Sequence, residues 1–141
     1  MTGKEYFNGI RAKIDAISIL RRRMEEIAEL STALGGFNYD EPRVMGGMPK
    51  NKYEDKAIML AELSKQLSDA LVECVKAKSE CDLRLMQMPN RTYVKVLRLR
   101  YLEDKRHSWG WIADEMNYSE DRIKHLLGEA LTDFEARFLK G

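Results

Sequence analysis

Apolar residues step along the first part of the chain in threes and fours: Ile10, Ile14, Ile17, Leu20, Met24, Ile27, Leu30 and Leu34. That period puts them on one side of a helix from Lys4 to Leu34, with Arg21, Arg22, Arg23, Glu25, Glu26 and Glu29 mostly outside the stripe. The stretch Gly35 to Asn51 then interrupts the pattern with Gly35, Gly36, Pro42, Gly46, Gly47 and Pro49, residues that punctuate helices. A second helix is predicted from near Tyr53 to about Gln87. Its stripe is Leu60, Leu63, Leu67, Leu71, Cys74, Cys81, Leu85 and Met88, at nearly heptad spacing.

Pro89 sets the next boundary, because the residue before a proline resists the helical region. Three shorter helices are predicted beyond it. Asn90 to Leu102 places Tyr93, Val94, Leu97 and Tyr101 on one face. Ser108 can cap a helix holding Trp109, Ile112, Ala113 and Met116, and Asn117-Tyr118 makes a tight turn. Ser119 can cap a last helix through about Leu139, striped by Ile123, Leu126, Leu127, Ala130, Leu131, Phe134 and Phe138. No strand pattern occurs. The expected fold class is all-α: a long N-terminal helical hairpin over residues 1–88, then a C-terminal helix-turn-helix domain over 89–141. Each long helix spans about 45 to 50 Å at 1.5 Å per residue. A lone antiparallel pair leaves much of both stripes wet, so pairing into a homodimer is expected, in preference to C-terminal helices folding back over the hairpin.

The information about function lies around Asn117. Two helices joined by a short turn, the second opening on Ser and carrying exposed polar residues, make a helix-turn-helix. The stretches Val96-Leu97-Arg98-Leu99-Arg100-Tyr101, Ser108-Trp109-Gly110-Trp111-Ile112-Ala113 and Asn117-Tyr118-Ser119-Glu120-Asp121-Arg122-Ile123 resemble region 4 of the sigma-70 family. The tail His125-Leu126-Leu127-Gly128-Glu129-Ala130-Leu131 looks closer still to phage-encoded regulators of the ArpU/RinA-like group. The resemblance covers about Asn90 to Phe138. It implies a transcriptional regulator of phage or prophage type that binds promoter DNA in the cytoplasm of a bacterial host. Glu120 and Asp121 depart from the basic or mixed residues usual after that Ser, and Gly110 and Trp111 stand where sigma factors are often acidic. No counterpart of sigma region 2 is recognisable, so the chain is not expected to act as a complete sigma factor.

If Ile123, Leu126, Leu127 and Ala130 face inward, Asp121, Lys124, His125 and Gly128 share the outer face of the last helix. By position, the sigma pattern marks Ser119, Glu120, Asp121, Lys124 and His125 as base-reading candidates. A carboxylate accepts from cytosine N4 and a lysine donates to guanine, so mixed signs are compatible with readout. The plainer role of Glu120 and Asp121 is to favour the positive end of the helix dipole. Phosphate candidates are Arg91, Arg98, Arg100, Lys105, Arg106, Ser108 and Arg122. Most lie in the most basic window of the chain, between Pro89 and His107, where six Lys+Arg face only Glu103 and Asp104. Trp109, sharing a face with Ile112 and Ala113, is expected in the core, and Trp111 is expected to pack against the bundle.

Composition narrows the rest. The 141 residues carry 24 Lys+Arg against 23 Asp+Glu, which excludes a uniformly polycationic DNA coat. No window of 18 apolar residues occurs and the N-terminus has no apolar signal core, so neither a membrane partner nor secretion is expected. Cys74 and Cys81 sit two helical turns apart, about 10 Å, too far for a disulfide. The only histidines, His107 and His125, lie far along the chain, so neither metal nor cofactor is expected. No phosphate loop or catalytic triad is present, and an enzyme is not expected. Two other readings fit a helix-turn-helix joined to oligomerising helices: a small terminase-like DNA-packaging adaptor, and a protein that captures host RNA polymerase through its sigma-like module.

Overall fold

The computed structural model describes the backbone of residues 1–38 and 49–140 and the side chains of 1–29 and 54–140. Among these residues the chain is all-helical: α1 (Gly3–Asn38), α2 (Pro49–Met86), α3 (Arg91–Leu97), α4 (Trp109–Met116) and α5 (Glu120–Phe134). Both α3 and α5 widen into a π-helical last turn, at Arg98–Leu102 and Glu135–Leu139.

The break expected at Gly35 to Asn51 is shorter than the sequence pattern suggests. Helix α1 runs through Gly35 and Gly36 to Asn38. A glycine costs a helix about 1 kcal/mol relative to alanine, which a long helix tolerates near its end. Helix α2 begins at Pro49, where a proline loses no hydrogen bond because the first helical N–H has no acceptor. Pro42, Gly46 and Gly47 lie outside the described residues.

The chain divides into two compact units, Met1–Asp15 with Glu73–Gly141, and Ala16–Val72. Residues 1–15 of the expected hairpin and 89–140 of the expected C-terminal domain fall in the same unit. In the first unit the start of α1 and the end of α2 are held by the C-terminal helices. Phe7 meets Phe134 edge-on at 4.7 Å and stacks on Tyr101 at 5.3 Å, and Tyr6 lies against both Phe7 and Phe134. Around this aromatic knot Ile10, Ile14, Cys81, Leu85, Met88, Val96, Leu97, Ile112, Ile123, Leu126 and Ala130 are buried. The part of the apolar stripe that was expected to need a second copy is here covered from within the chain.

Two contacts fix α1 on this unit. The Gly3 N–H donates to Glu135 Oε1 at 2.8 Å, and a Cβ at Gly3 would stand 2.6 Å from the Leu131 carbonyl oxygen. Arg11 is buried and spreads its guanidinium over three backbone carbonyls, donating to Tyr101, Glu103 and Asp104. It also pairs with Asp15 at 3.0 Å.

In the Ala16–Val72 unit, Arg23, Glu26 and Ile27 of α1 share a groove with Met59, Glu62, Leu63 and Gln66 of α2. Leu63 is buried, whereas Ile17, Leu20, Met24, Ile27, Leu60, Leu67 and Leu71 are half-buried. The side chains of Leu30 and Leu34 lie outside the described residues. Cys74 and Cys81 are both buried thiols, and no described helix is long and apolar enough to cross a membrane.

Candidate nucleic-acid interface

Each of the three short helices starts on the side chain its sequence offers. Asn90 Oδ1 accepts from the backbone N–H groups of Thr92 and Tyr93, Ser108 Oγ from Trp111, and Ser119 Oγ from Arg122. Such caps satisfy donors that a helix start leaves without acceptors. Between α4 and α5, Asn117 turns the chain in the left-handed region at φ 60°, ψ 43°, a conformation asparagine tolerates better than most residues. The Tyr118 N–H then returns to the Ala113 carbonyl at 3.0 Å. Cap, turn and cap fix where α5 begins.

Helix α5 buries Ile123, Leu126, Leu127, Ala130 and Phe134 and exposes Asp121, Lys124, His125 and Gly128. Ser119, Glu120 and Arg122 are exposed too. The Ser119 hydroxyl is spent on its cap, while Glu120 and Asp121 stand at the helix start, where the dipole favours them. The Lys124 ammonium hangs 5.7 Å from the centre of the Trp109 ring. Further along the same face an open hollow is lined by His125, Gly128, Glu129, Thr132 and Asp133 of α5 together with Tyr93 of α3. Tyr93 donates to Glu129 Oε2 at 3.1 Å, and that hydrogen bond to a carboxylate raises the phenol's pKa.

The arginines proposed for phosphate are mostly occupied. Arg91 donates to the carbonyls of Leu85 and Met88 at the end of α2. Arg98 pairs with Asp82 at 3.0 Å. Arg100 lies 4.0 Å over the Trp109 ring and donates to the His107 carbonyl. Arg106 donates twice to Asp15 Oδ2, at 2.9 and 2.6 Å. Burial alone would raise the Asp15 pKa, but the hydrogen bonds from Arg106 and Arg11 outweigh it and hold the carboxyl below its ordinary value. Among the phosphate candidates, Lys105 and Arg122 are exposed and make no side-chain hydrogen bond or ion pair within the described chain. Ser108 is committed to its cap. Lys95, counted in the basic window but not singled out, shares a shallow cleft with Arg91, Thr92, Met116 and Tyr118.

The tryptophans differ from expectation. Trp109 is half-buried rather than core, and the Arg100 guanidinium lies over its ring. Trp111, expected against the bundle, is 41% exposed and stacks on His107 with ring centroids 3.7 Å apart and planes 12° from parallel. His107 and Trp111 thus make a flat aromatic surface beside the Ser108 cap. Sequence periodicity missed Arg11 altogether, since its acceptors lie some 90 residues away.

Burial pushes the Cys81 thiol up to about 12 and the Tyr6 phenol up to about 12, so both stay protonated at neutral pH. Among the described residues no three His, Cys, Asp or Glu side chains gather to hold a metal ion. Comparison with known proteins returned no match: no family model, no curated protein and no solved structure is similar to the chain.

Proposed function

We propose that this chain is a sequence-specific DNA-binding transcriptional regulator of phage or prophage type, in which α4, the Asn117 turn and α5 form a helix-turn-helix. The observation that carries the reading is the outer face of α5. Asp121, Lys124, His125 and Gly128 are exposed together on a helix whose start is fixed by a cap and a turn and whose other face is anchored in the core. A recognition helix needs that combination, because base edges are read only by side chains held in register with the groove.

In this reading α5 enters the major groove, Lys124 donates to guanine and Asp121 or Glu120 accepts from cytosine N4. Lys105, Arg122 and the Lys95–Tyr118 cleft meet the phosphates on either side. Few cations are uncommitted, so binding depends on salt with a shallow slope, about 0.9 per phosphate contact. A genome-wide DNA pulldown with the purified protein tests the proposal. Enrichment of a discrete set of fragments sharing one motif supports it, and recovery no greater than bulk DNA contradicts it.

A second reading, capture of host RNA polymerase without DNA, is favoured by one feature. Glu120 and Asp121 stand exposed at the head of α5 and make no ion pair within the described chain, where they repel phosphate. Polymerase co-purifying with a protein that shifts no DNA selects that reading.

A further inference from the structure

Helix α2 has an outer face as well as the inner stripe, and that face is apolar. Val75, Leu83 and Met86 are 62%, 64% and 69% exposed, although each is a large hydrophobic residue in a well-formed helix. Their spacing, with Ser79 between Val75 and Leu83, follows three-and-four steps, so they lie along one seam. Three large apolar side chains left in water on one helix face mark a surface built to be covered.

The charges around the seam identify what covers it. On the N-terminal side of Ser79 stand Lys76 and Lys78, and on its C-terminal side Glu80 and Asp82. The pattern is a palindrome of opposite sign. We infer that this face of α2 is the interface with a second copy of the chain, paired antiparallel about Ser79. In that register Val75 of each protomer packs beside Leu83 of its partner, and small Ser79 meets its own copy at the two-fold axis. By the same rule Lys76 of each protomer faces Asp82 of its partner and Lys78 faces Glu80, so that each pair occurs once along either edge of the seam. By sequence, the mate of Met86 is Val72. A parallel pairing in register would instead set lysine against lysine and acid against acid, which disfavours it.

The two lysines make no ion pair within the described chain. The two acids are already partly used, Glu80 by Arg84 at 2.9 Å and Asp82 by Arg98 at 3.0 Å, but a carboxylate has acceptor sites to spare. This pairing uses a different face from the inner stripe and is independent of the DNA reading, since it needs only the helix and its charges.

Sedimentation of the full chain at tens of micromolar tests it. A dimer is expected for the wild type. Leu83→Glu, at a surface position that leaves the core intact, should weaken the dimer about 30-fold or more without changing the helical circular dichroism. Two charge-swapped chains sharpen the test: K76E with K78E, and E80K with D82K. Each alone should be monomeric, and their mixture should form a heterodimer. Orientation follows from cysteines: a V75C chain mixed with an L83C chain should cross-link to each other, and V75C alone should not. A monomeric wild type, a dimer indifferent to Leu83→Glu, or cross-linking of V75C to itself would each overturn the inference.

Discussion

The two units are built from the same pair of helices and differ in what those helices are given to pack against. Near the start of α1 and the end of α2, the C-terminal helices supply a further layer, and Phe7, Cys81, Leu85 and Phe134 are fully enclosed. In the Ala16–Val72 unit the stripe is equally regular in sequence, yet among the described side chains it reaches full burial only at Leu63. A striped helix carries the capacity for a core, and a second and third surface must close it. Ile14 and Ile17 make the point within one helix turn, one buried and the other half-buried.

The contrast can be broken most forcefully in the aromatic knot. Phe7→Ala should cost about 3–5 kcal/mol, whereas Leu67→Ala, truncating a half-buried residue, should cost about 1 kcal/mol. Urea unfolding of both variants measures this, and equal losses would erase the distinction between the units. Arg11→Ala belongs with the large effects, about 3–5 kcal/mol, because it leaves three carbonyls without their donor and takes from Asp15 one of its two arginine partners.

Gly3→Ala should cost about 1–3 kcal/mol, since its Cβ meets a backbone carbonyl that cannot turn aside. Thermal melting reads this directly. Gly9→Ala is the control: a Cβ there has open space, and the change should be neutral or slightly stabilising.

A smaller effect is expected from acid. The Asp15 carboxyl titrates below its ordinary 3.8 when folded, so its contribution is present above that value and is lost as pH falls through the lowered folded one. Asp15→Asn should therefore flatten the acid limb of the stability curve below about pH 4. An unchanged limb would mean that the Arg11–Asp15–Arg106 cluster adds nothing to the first unit.

Much of this architecture was legible because it is local. Ser108 and Ser119 cap the helices their positions suggest, Asn117 makes the expected turn in the left-handed region, and of the last helix's stripe Ile123, Leu126, Leu127, Ala130 and Phe134 are buried while Leu131 and Phe138 are half-buried. What escaped is long-range. Nothing near Arg11 in sequence announces that it will cap the loop after α3, and nothing near Arg98 or Arg106 names Asp82 or Asp15 as partners. Composition made the Pro89–His107 window look like a phosphate surface, while geometry gives most of its arginines to the fold. Gly3 was invisible for a similar reason, since its smallness matters only against Leu131.

The central claim, that the outer face of α5 reads DNA, is tested most directly by titrating Lys124→Ala with His125→Ala against a site selected from genomic DNA. Both side chains are exposed, so the doubly substituted protein should melt within about 1 °C of wild type, as surface changes do. It should lose about 1–3 kcal/mol per substitution for the selected site while binding to unrelated DNA stays the same. Equal affinity of wild type and variant for the selected site would contradict the claim.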